Sequence, residues 1–72
     1  MKQPRYTIQD LPGGDVSPPM TEHEMVACIV ARTGQSIRTA EHAINGLSAL
    51  VPRVTVPAVT PDRPGVRVTL AR

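Results

Sequence analysis

The sequence predicts an α+β fold in which two helices joined by a tight turn are followed by a β-hairpin. Apolar residues on both sides of a Thr-Gly-Gln-Ser turn recur three and four positions apart, which is typical of amphipathic helices. From Arg53 onward the apolar period falls to two, which is typical of strands that bury one face. The pattern also allows an extra strand near the N-terminus.

Residues 1–19 are expected to form an N-terminal arm ahead of a domain that spans residues 20–72. Arg5–Gln9 alternates and carries β-forming residues, which favours a short strand. Residues 11–19 contain three prolines and two glycines, which exclude a helix and favour an open loop. If the strand docks, it adds to the C-terminal hairpin as an edge strand; if it does not, the arm is a flexible tail. The sequence leaves both alternatives open.

The first helix has a well-defined start. Thr21 and Glu24 form a capping box, in which each residue satisfies a free backbone N–H group of the other. We therefore expect a helix over residues 22–32, with Arg32 suiting the negative end of the helix dipole. The acidic cluster around His23 is interpreted as a solvated helix start, because the chain offers no further ligand pair for a metal.

Within four residues, the turn after this helix carries a signal that ends one helix and a signal that begins the next. Gly34 lies where a helix needs a left-handed residue to end, and Ser36 is able to cap the next helix. We expect the second helix over residues 36–50, because Leu47 and Leu50 continue its apolar stripe past a glycine and Pro52 imposes the stop. Two helices joined by a short turn containing glycine form a helix-turn-helix.

The second helix carries polar side chains on the face opposite its apolar stripe. These side chains, with one from the turn, are Gln35, Arg38, Thr39, His42 and Asn45. Arg, Asn and Gln make paired hydrogen bonds to base edges, and Thr contacts the thymine methyl group. We therefore predict a DNA-reading face here; the alternative is a solvated polar face with no partner.

Two alternating segments after the second helix predict the hairpin. Val54, Val56 and Ala58 form one apolar row, and Val66, Val68 and Leu70 form the other. A turn-rich loop over 60–65 joins them, and Pro57 leaves the first strand with a free side or a break because proline donates no backbone hydrogen bond.

Three arginines belong to this hairpin. Arg63 is expected at its tip, and Arg53 and Arg67 on its polar face. Guanidinium groups placed in this way can neutralise DNA phosphates. The alternative is that they only keep the surface soluble.

The helical hairpin resembles that of known DNA-binding families. Its segment around Gly34, about a quarter of the chain, is similar to the helix-turn-helix of bacterial winged-helix regulators through the run Arg32-Thr33-Gly34-x-Ser36-x-Arg38-Thr39-x-Glu41-x-Ala43-Ile44-x-x-Leu47. This resemblance implies that the second helix enters the major groove and that the hairpin is a wing. Met25–Leu47 also resembles the N-terminal helical hairpin of HU-type nucleoid proteins, although the C-terminal part lacks that family's motifs.

Composition limits the remaining function classes. In 72 residues with one aromatic, Tyr6, the core must be thin, which favours homodimerisation. The net charge of +2 and the pI of about 9.3 favour an anionic partner. We expect Cys28 to be a buried free thiol. No signal peptide or membrane span is evident, so a cytoplasmic protein without membrane contact is expected.

No arrangement in the sequence indicates an enzyme, a cofactor site or a metal site. The expected function is a DNA-binding transcriptional regulator of bacterial or phage type that contacts double-stranded DNA. Two alternatives stay open. One is a small phage- or plasmid-type inhibitor or adaptor that binds a protein partner on a helix-turn-helix scaffold, and the other is an HU-like architectural DNA-binding protein.

Overall fold

The computed structural model describes residues 3–71, so Met1, Lys2 and Arg72 of the expected arm and domain lie outside the described residues. The elements in chain order are β1 (Arg5–Asp10), α1 (Glu22–Thr33), α2 (Ile37–Asn45), β2 (Arg53–Val56) and β3 (Val66–Ala71). The predicted α+β arrangement, with a hairpin after the two helices, is confirmed.

The three strands form one antiparallel sheet in the order β1-β3-β2. The β2–β3 pairing is the hairpin, with Val54 opposite Val68. The N-terminal strand docks on the other side of β3, with Ile8 also opposite Val68. Of the two alternatives for the N-terminal segment, the structure has the docked edge strand.

Residues 16–20 run back beside the free side of β1. Tyr6 and Met20 exchange two backbone hydrogen bonds of 2.9 and 2.8 Å, and a second isolated bridge joins Gln9 to Val16. Between these contacts the Ser17 N–H donates to the Ile8 carbonyl, and the Ile8 N–H donates to Ser17 Oγ. The Pro-rich loop is therefore attached to the sheet by backbone bonds.

Both helices pack on one face of the sheet and enclose a single apolar core. The alternation of each strand directs one set of side chains toward the helices. The buried apolar residues are Tyr6, Ile8, Met25, Ile29, Ala40, Ile44, Val56, Val66 and Val68. Cys28 is a free thiol that is only half-buried at the margin of this core, where its Sγ lies 3.6 Å from Met20 Sδ.

The predicted signals at both ends of α1 are confirmed. The Glu24 N–H donates to Thr21 Oγ1, and the Thr21 N–H donates to the Glu24 carboxylate. The Thr21 hydroxyl also donates to this carboxylate, and the two hydrogen bonds from the Thr21 N–H and hydroxyl hold the pKa of Glu24 below its ordinary value. At the other end Gly34 has φ of +76°, and its N–H donates to the Val30 carbonyl. The helix therefore ends on a left-handed glycine.

The second helix is shorter than the predicted 36–50, and the extension past Asn45 was wrong. Gly46 ends the helix, and the Leu47 N–H donates to the Ile44 carbonyl in a final tight turn. The Ser48 hydroxyl then accepts hydrogen bonds from the N–H groups of Leu50 and Val51. Local acceptors of this kind compete with a helix.

Burial of apolar side chains does not favour a longer helix either. Ile44 is the last buried residue of α2 and Leu47 packs half-buried at the margin of the core, whereas Leu50, which the prediction placed on the buried stripe, is 93% exposed. Continuing the helix would also place Gly46 in its interior, at a cost of about 1 kcal/mol relative to alanine. The polypeptide therefore leaves the helix within one turn of its last buried residue, Ile44.

The hairpin strands differ in length. The first ends at Val56, directly before Pro57, where the sequence predicted a free side or a break. The second continues over six residues and lies at the centre of the sheet. Two backbone hydrogen bonds hold the loop between β2 and β3 against the rest of the domain. The Leu11 N–H donates to the Gly65 carbonyl, and the Val59 N–H donates to the Thr33 carbonyl.

Candidate nucleic-acid interface

One stripe of α2 is exposed to solvent. Because Ala40 and Ile44 are buried against the sheet, the opposite side of the helix points outward. Arg38, His42 and Asn45 are exposed there, at spacings of four and three residues that place them on one face. The structure thus brings together three of the side chains that the sequence predicted to read DNA. In residues 3–71 no hydrogen bond or ion pair engages these three side chains.

The two remaining predicted side chains at this helix have structural contacts. Gln35 is half-buried, and its Nε2 donates to the Pro57 carbonyl at 2.9 Å. Thr39 is exposed, but its Oγ1 accepts from the Ser36 hydroxyl at 3.0 Å while its N–H donates to Ser36 Oγ. Gln35 therefore fixes the turn to the hairpin loop, and Thr39 belongs to the helix cap.

Hydrogen bonds of a buried threonine hold the turn between the two helices. Thr33 is buried, and its hydroxyl donates to the Ile29 carbonyl at 2.6 Å and accepts from the Gln35 N–H at 3.2 Å. With the Val59 N–H donating to the Thr33 carbonyl, the hairpin loop is bonded to the end of α1, at the turn that precedes α2. These contacts fix the direction in which α2 leaves the turn.

The hairpin arginines lie on two different sides of the molecule. Arg53 and Arg67 alternate with buried valines, so they project from the sheet surface that faces away from the helices. Arg63, in the loop after β2, borders a small hollow that also contains Asp10 and Arg32. Arg53 and Arg67 therefore do not share a surface with the exposed stripe of α2, whereas Arg63 lies near the end of α1.

The surface of the sheet that faces away from the helices is called the outer sheet face below. Arg5 belongs to this face, although the sequence did not predict it as a functional residue. Its position depends on how β1 docks on β3. Strand alternation and register assign this face Arg5, Thr7, Gln9, Arg53, Thr55, Arg67, Thr69 and Ala71. Each strand contributes one arginine.

A shallow apolar groove of about 490 Å³ separates the exposed sides of the helices. Val26, Val30 and Ile37 line it, and Ile37 is 60% exposed. The residues at its margin include Glu22 and Glu41. Met25, one residue before Val26 on α1, is wholly buried and does not contribute to this groove. The groove is an exposed apolar surface with acidic side chains beside it.

Within residues 3–71 there is no group of three or more His, Cys, Asp or Glu side chains placed to hold a metal ion. Neither helix in that range has the length and apolarity needed to cross a membrane. No protein-family model, curated protein or solved structure matches this chain. A function must therefore be inferred from the chemistry of the surfaces.

Proposed function

We propose that the domain binds double-stranded DNA as a small transcriptional regulator, with α2 lying in the major groove. The observation that carries this proposal is the exposed stripe of Arg38, His42 and Asn45. All three side chains are accessible, and Arg and Asn make the paired hydrogen bonds that distinguish guanine and adenine. A helix with its side chains is about 10–12 Å across, which suits a groove about 12 Å wide.

The hydrogen bonds that fix the turn before α2 support the same proposal. A reading helix must be presented at a fixed angle, because hydrogen bonds to base edges tolerate small displacements only. Here the Gln35 side chain donates to the Pro57 carbonyl and the Val59 N–H donates to the Thr33 carbonyl, so the turn that precedes α2 is attached to the hairpin loop. We assign Arg63, which lies near the end of α1, to a phosphate beside the groove.

The expected oligomer and location belong to this proposal. A homodimer would place two α2 helices on half-sites about 34–36 Å apart, the repeat of one DNA turn. A bacterial or phage regulator of this type acts in the cytoplasm. Sedimentation of the protein alone, and of the protein with a duplex that carries two half-sites, measures directly whether it is a homodimer.

Fluorescence anisotropy with a selected duplex and a random duplex, each at two salt concentrations, tests the proposal. Arg38→Ala and Asn45→Ala should each weaken binding to the selected duplex by roughly 1–3 kcal/mol and reduce discrimination, while the melting temperature stays unchanged. Glu41→Ala is the matched control, because Glu41 lies on the same helix but borders the apolar groove. Wild-type affinity in both stripe variants would contradict the assignment of α2.

The apolar groove supports a second candidate, a small inhibitor or adaptor that binds a protein. Apolar side chains of Val26, Val30 and Ile37 are gathered there without covering structure in residues 3–71. This candidate predicts weak DNA affinity with no sequence preference. An HU-like architectural function is distinguished by the same titration, because it predicts salt-dependent binding without discrimination between the two duplexes.

A further inference from the structure

Within residues 3–71, no acidic residue of this domain is a strand residue of the outer sheet face, whereas arginines occur both there and on the helices. Asp10 is the acidic residue found in a strand, and alternation directs it toward the helices, where it pairs with Arg32 at 3.0 Å. Glu22, Glu24 and Glu41 belong to the helices. The remaining acids, Asp15 and Asp62, are in loops. The strand residues of the outer sheet face therefore carry three arginines and no carboxylate.

The arginines of the outer sheet face differ in their surroundings. Among residues 3–71 the one ion pair is that between Arg32 and Asp10, so Arg5, Arg53 and Arg67 have no carboxylate in contact. Arg5 lies close enough to the start of α1 that its charge contributes to the lowered pKa of Glu24. Arg53 and Arg67 have no comparable neighbour, which makes them the centre of the positive surface.

Strand register determines how far apart these charges lie. Arg67 lies opposite Thr55, and Arg53 lies two residues before Thr55 on the same strand. At about 4.8 Å between strands and about 3.4 Å per residue, the Cα atoms of Arg53 and Arg67 are roughly 8 Å apart. By the same geometry Arg5 is roughly 12–14 Å from both. The longer spacings, from Arg5 to the other two, are close to the width of the DNA major groove, about 12 Å.

The polar side chains of the outer sheet face suit the backbone of a duplex better than single-stranded nucleic acid. Single-stranded nucleic acid is usually bound by aromatic rings that stack on its bases. The one aromatic residue of the chain, Tyr6, is buried on the opposite side of the sheet, and this burial raises the pKa of its hydroxyl group. Threonine hydroxyls at 55 and 69 lie among the arginines and are suited to phosphate oxygens.

We infer that the outer sheet face binds the phosphate backbone of a second DNA duplex, so that one domain joins two DNA segments. The inference rests on the proposed function for the first duplex, which α2 holds on the opposite side. The two surfaces are separated by the thickness of a helix layer and a sheet. A backbone contact reads no bases, so the second duplex can have any sequence.

A capture assay tests this inference. A bead-bound duplex with the selected sequence is incubated with protein and a labelled duplex of random sequence. Wild-type protein should retain the labelled duplex, and Arg53→Gln/Arg67→Gln should reduce retention by at least about tenfold at moderate salt, because two phosphate contacts are lost. The double variant should still bind the selected duplex through α2 and discriminate it from the random duplex.

The matched control is Arg32→Gln, which removes one arginine from the last turn of α1, where Arg32 pairs with Asp10, and none from the outer sheet face. It should leave retention of the second duplex near the wild-type level. Thr55→Glu provides an independent variant if the double variant fails to fold, because it adds a carboxylate at an exposed position of the same face. It should also abolish retention. Retention that persists in either folded variant overturns the inference.

The assay separates failure of this inference from failure of the proposed function. If Arg38→Ala weakens binding to the selected duplex but wild-type protein retains no second duplex, α2 reads DNA and the inference is overturned. If Arg38→Ala changes nothing while Arg53→Gln/Arg67→Gln removes most of the salt-dependent binding, the outer sheet face binds DNA and the assignment of α2 is wrong.

Discussion

The two helices begin alike and end differently. Each starts after a hydroxyl side chain that accepts a backbone hydrogen bond, Thr21 for α1 and Ser36 for α2. Each is also followed by a glycine. Gly34 adopts the left-handed conformation, with φ of +76°, whereas Gly46 stays right-handed, with φ of −78°. The same residue type thus ends one helix through its own conformation, whereas the other helix is ended by the residues beyond its glycine.

The difference shows which glycines at helix ends are required. A left-handed residue strains any side chain that carries a Cβ, so Gly34 is part of the mechanism that stops α1. A right-handed residue places no such demand. At Gly46 the helix ends because Ser48 accepts the N–H groups of Leu50 and Val51 and because residues 48–53, beyond the half-buried Leu47, are exposed.

The largest effect is expected from Gly34→Val. An added Cβ would meet Val59 at 3.7 Å, an ordinary contact, so the cost comes from the backbone conformation. A non-glycine residue in this region costs about 1–3 kcal/mol, and a β-branched one lies at the upper end. Chemical denaturation of the variant and of Gly34→Ala should give a graded loss, with Val worse than Ala. An unchanged free energy of unfolding would mean that the two helices do not need this turn.

Gly46→Ala should have the opposite sign and a smaller size. Its added Cβ would lie 3.6 Å from the Ala43 carbonyl oxygen, and the conformation is one that alanine adopts readily. Replacing glycine at a compatible site typically stabilises by about 0.4–1 kcal/mol, because the unfolded chain loses freedom. Comparing Gly34→Ala with Gly46→Ala by the same denaturation curves isolates backbone conformation. Equal losses at the two sites would show that the two helix ends work in the same way.

The smallest effect concerns pH and the start of α1. Hydrogen bonds from Thr21 lower the pKa of Glu24 in the folded protein, so this contribution is present above the unfolded pKa and is lost as pH falls through the folded pKa. Glu24→Gln keeps an acceptor for the Thr21 N–H but does not titrate. The stability difference between wild type and variant should therefore shrink on acidification from about pH 5 to about pH 3. Melting curves across this range measure it.

Acidification should not change the start of α2 in the same way. Ser36 caps that helix together with Thr39, and its first turn contains no acidic residue. A Ser36→Ala variant should thus lose about 1 kcal/mol at every pH in the series. A pH-dependent loss in Ser36→Ala would contradict this distinction between the two caps.

Local signals in the sequence predicted most of the fold. Thr21 with Glu24, Gly34 and Ser36 act on backbone groups within four positions of themselves, so their roles follow from spacing alone. The end of α2 did not follow, because Leu50 continues the apolar pattern beyond the point where the core ends. Extent of burial depends on tertiary packing, which a periodic pattern does not contain.

The candidate site shows the same limit. The exposed positions of Arg38, His42 and Asn45 follow from helical spacing and were predicted. The separation of Arg53 and Arg67 from that stripe requires knowing which face of the hairpin the helices cover. Arg5 joins them only through the pairing of β1 with β3, in which Arg5 lies opposite Ala71 at the other end of the sequence. No short-range pattern carries that information.

The backbone bonds between β1 and residues 16–20 have a consequence for solubility. An open strand edge is a template on which another chain can add and start aggregation. Here Met20 and Ser17 occupy part of that edge, and the adjacent prolines 18 and 19 have no N–H to offer an incoming strand. On the other side β2 is four residues long and stops before Pro57. Both borders of this small sheet are therefore poor sites for edge-to-edge growth, and a flat, polar outer surface can stay exposed without the chain polymerising through its strands.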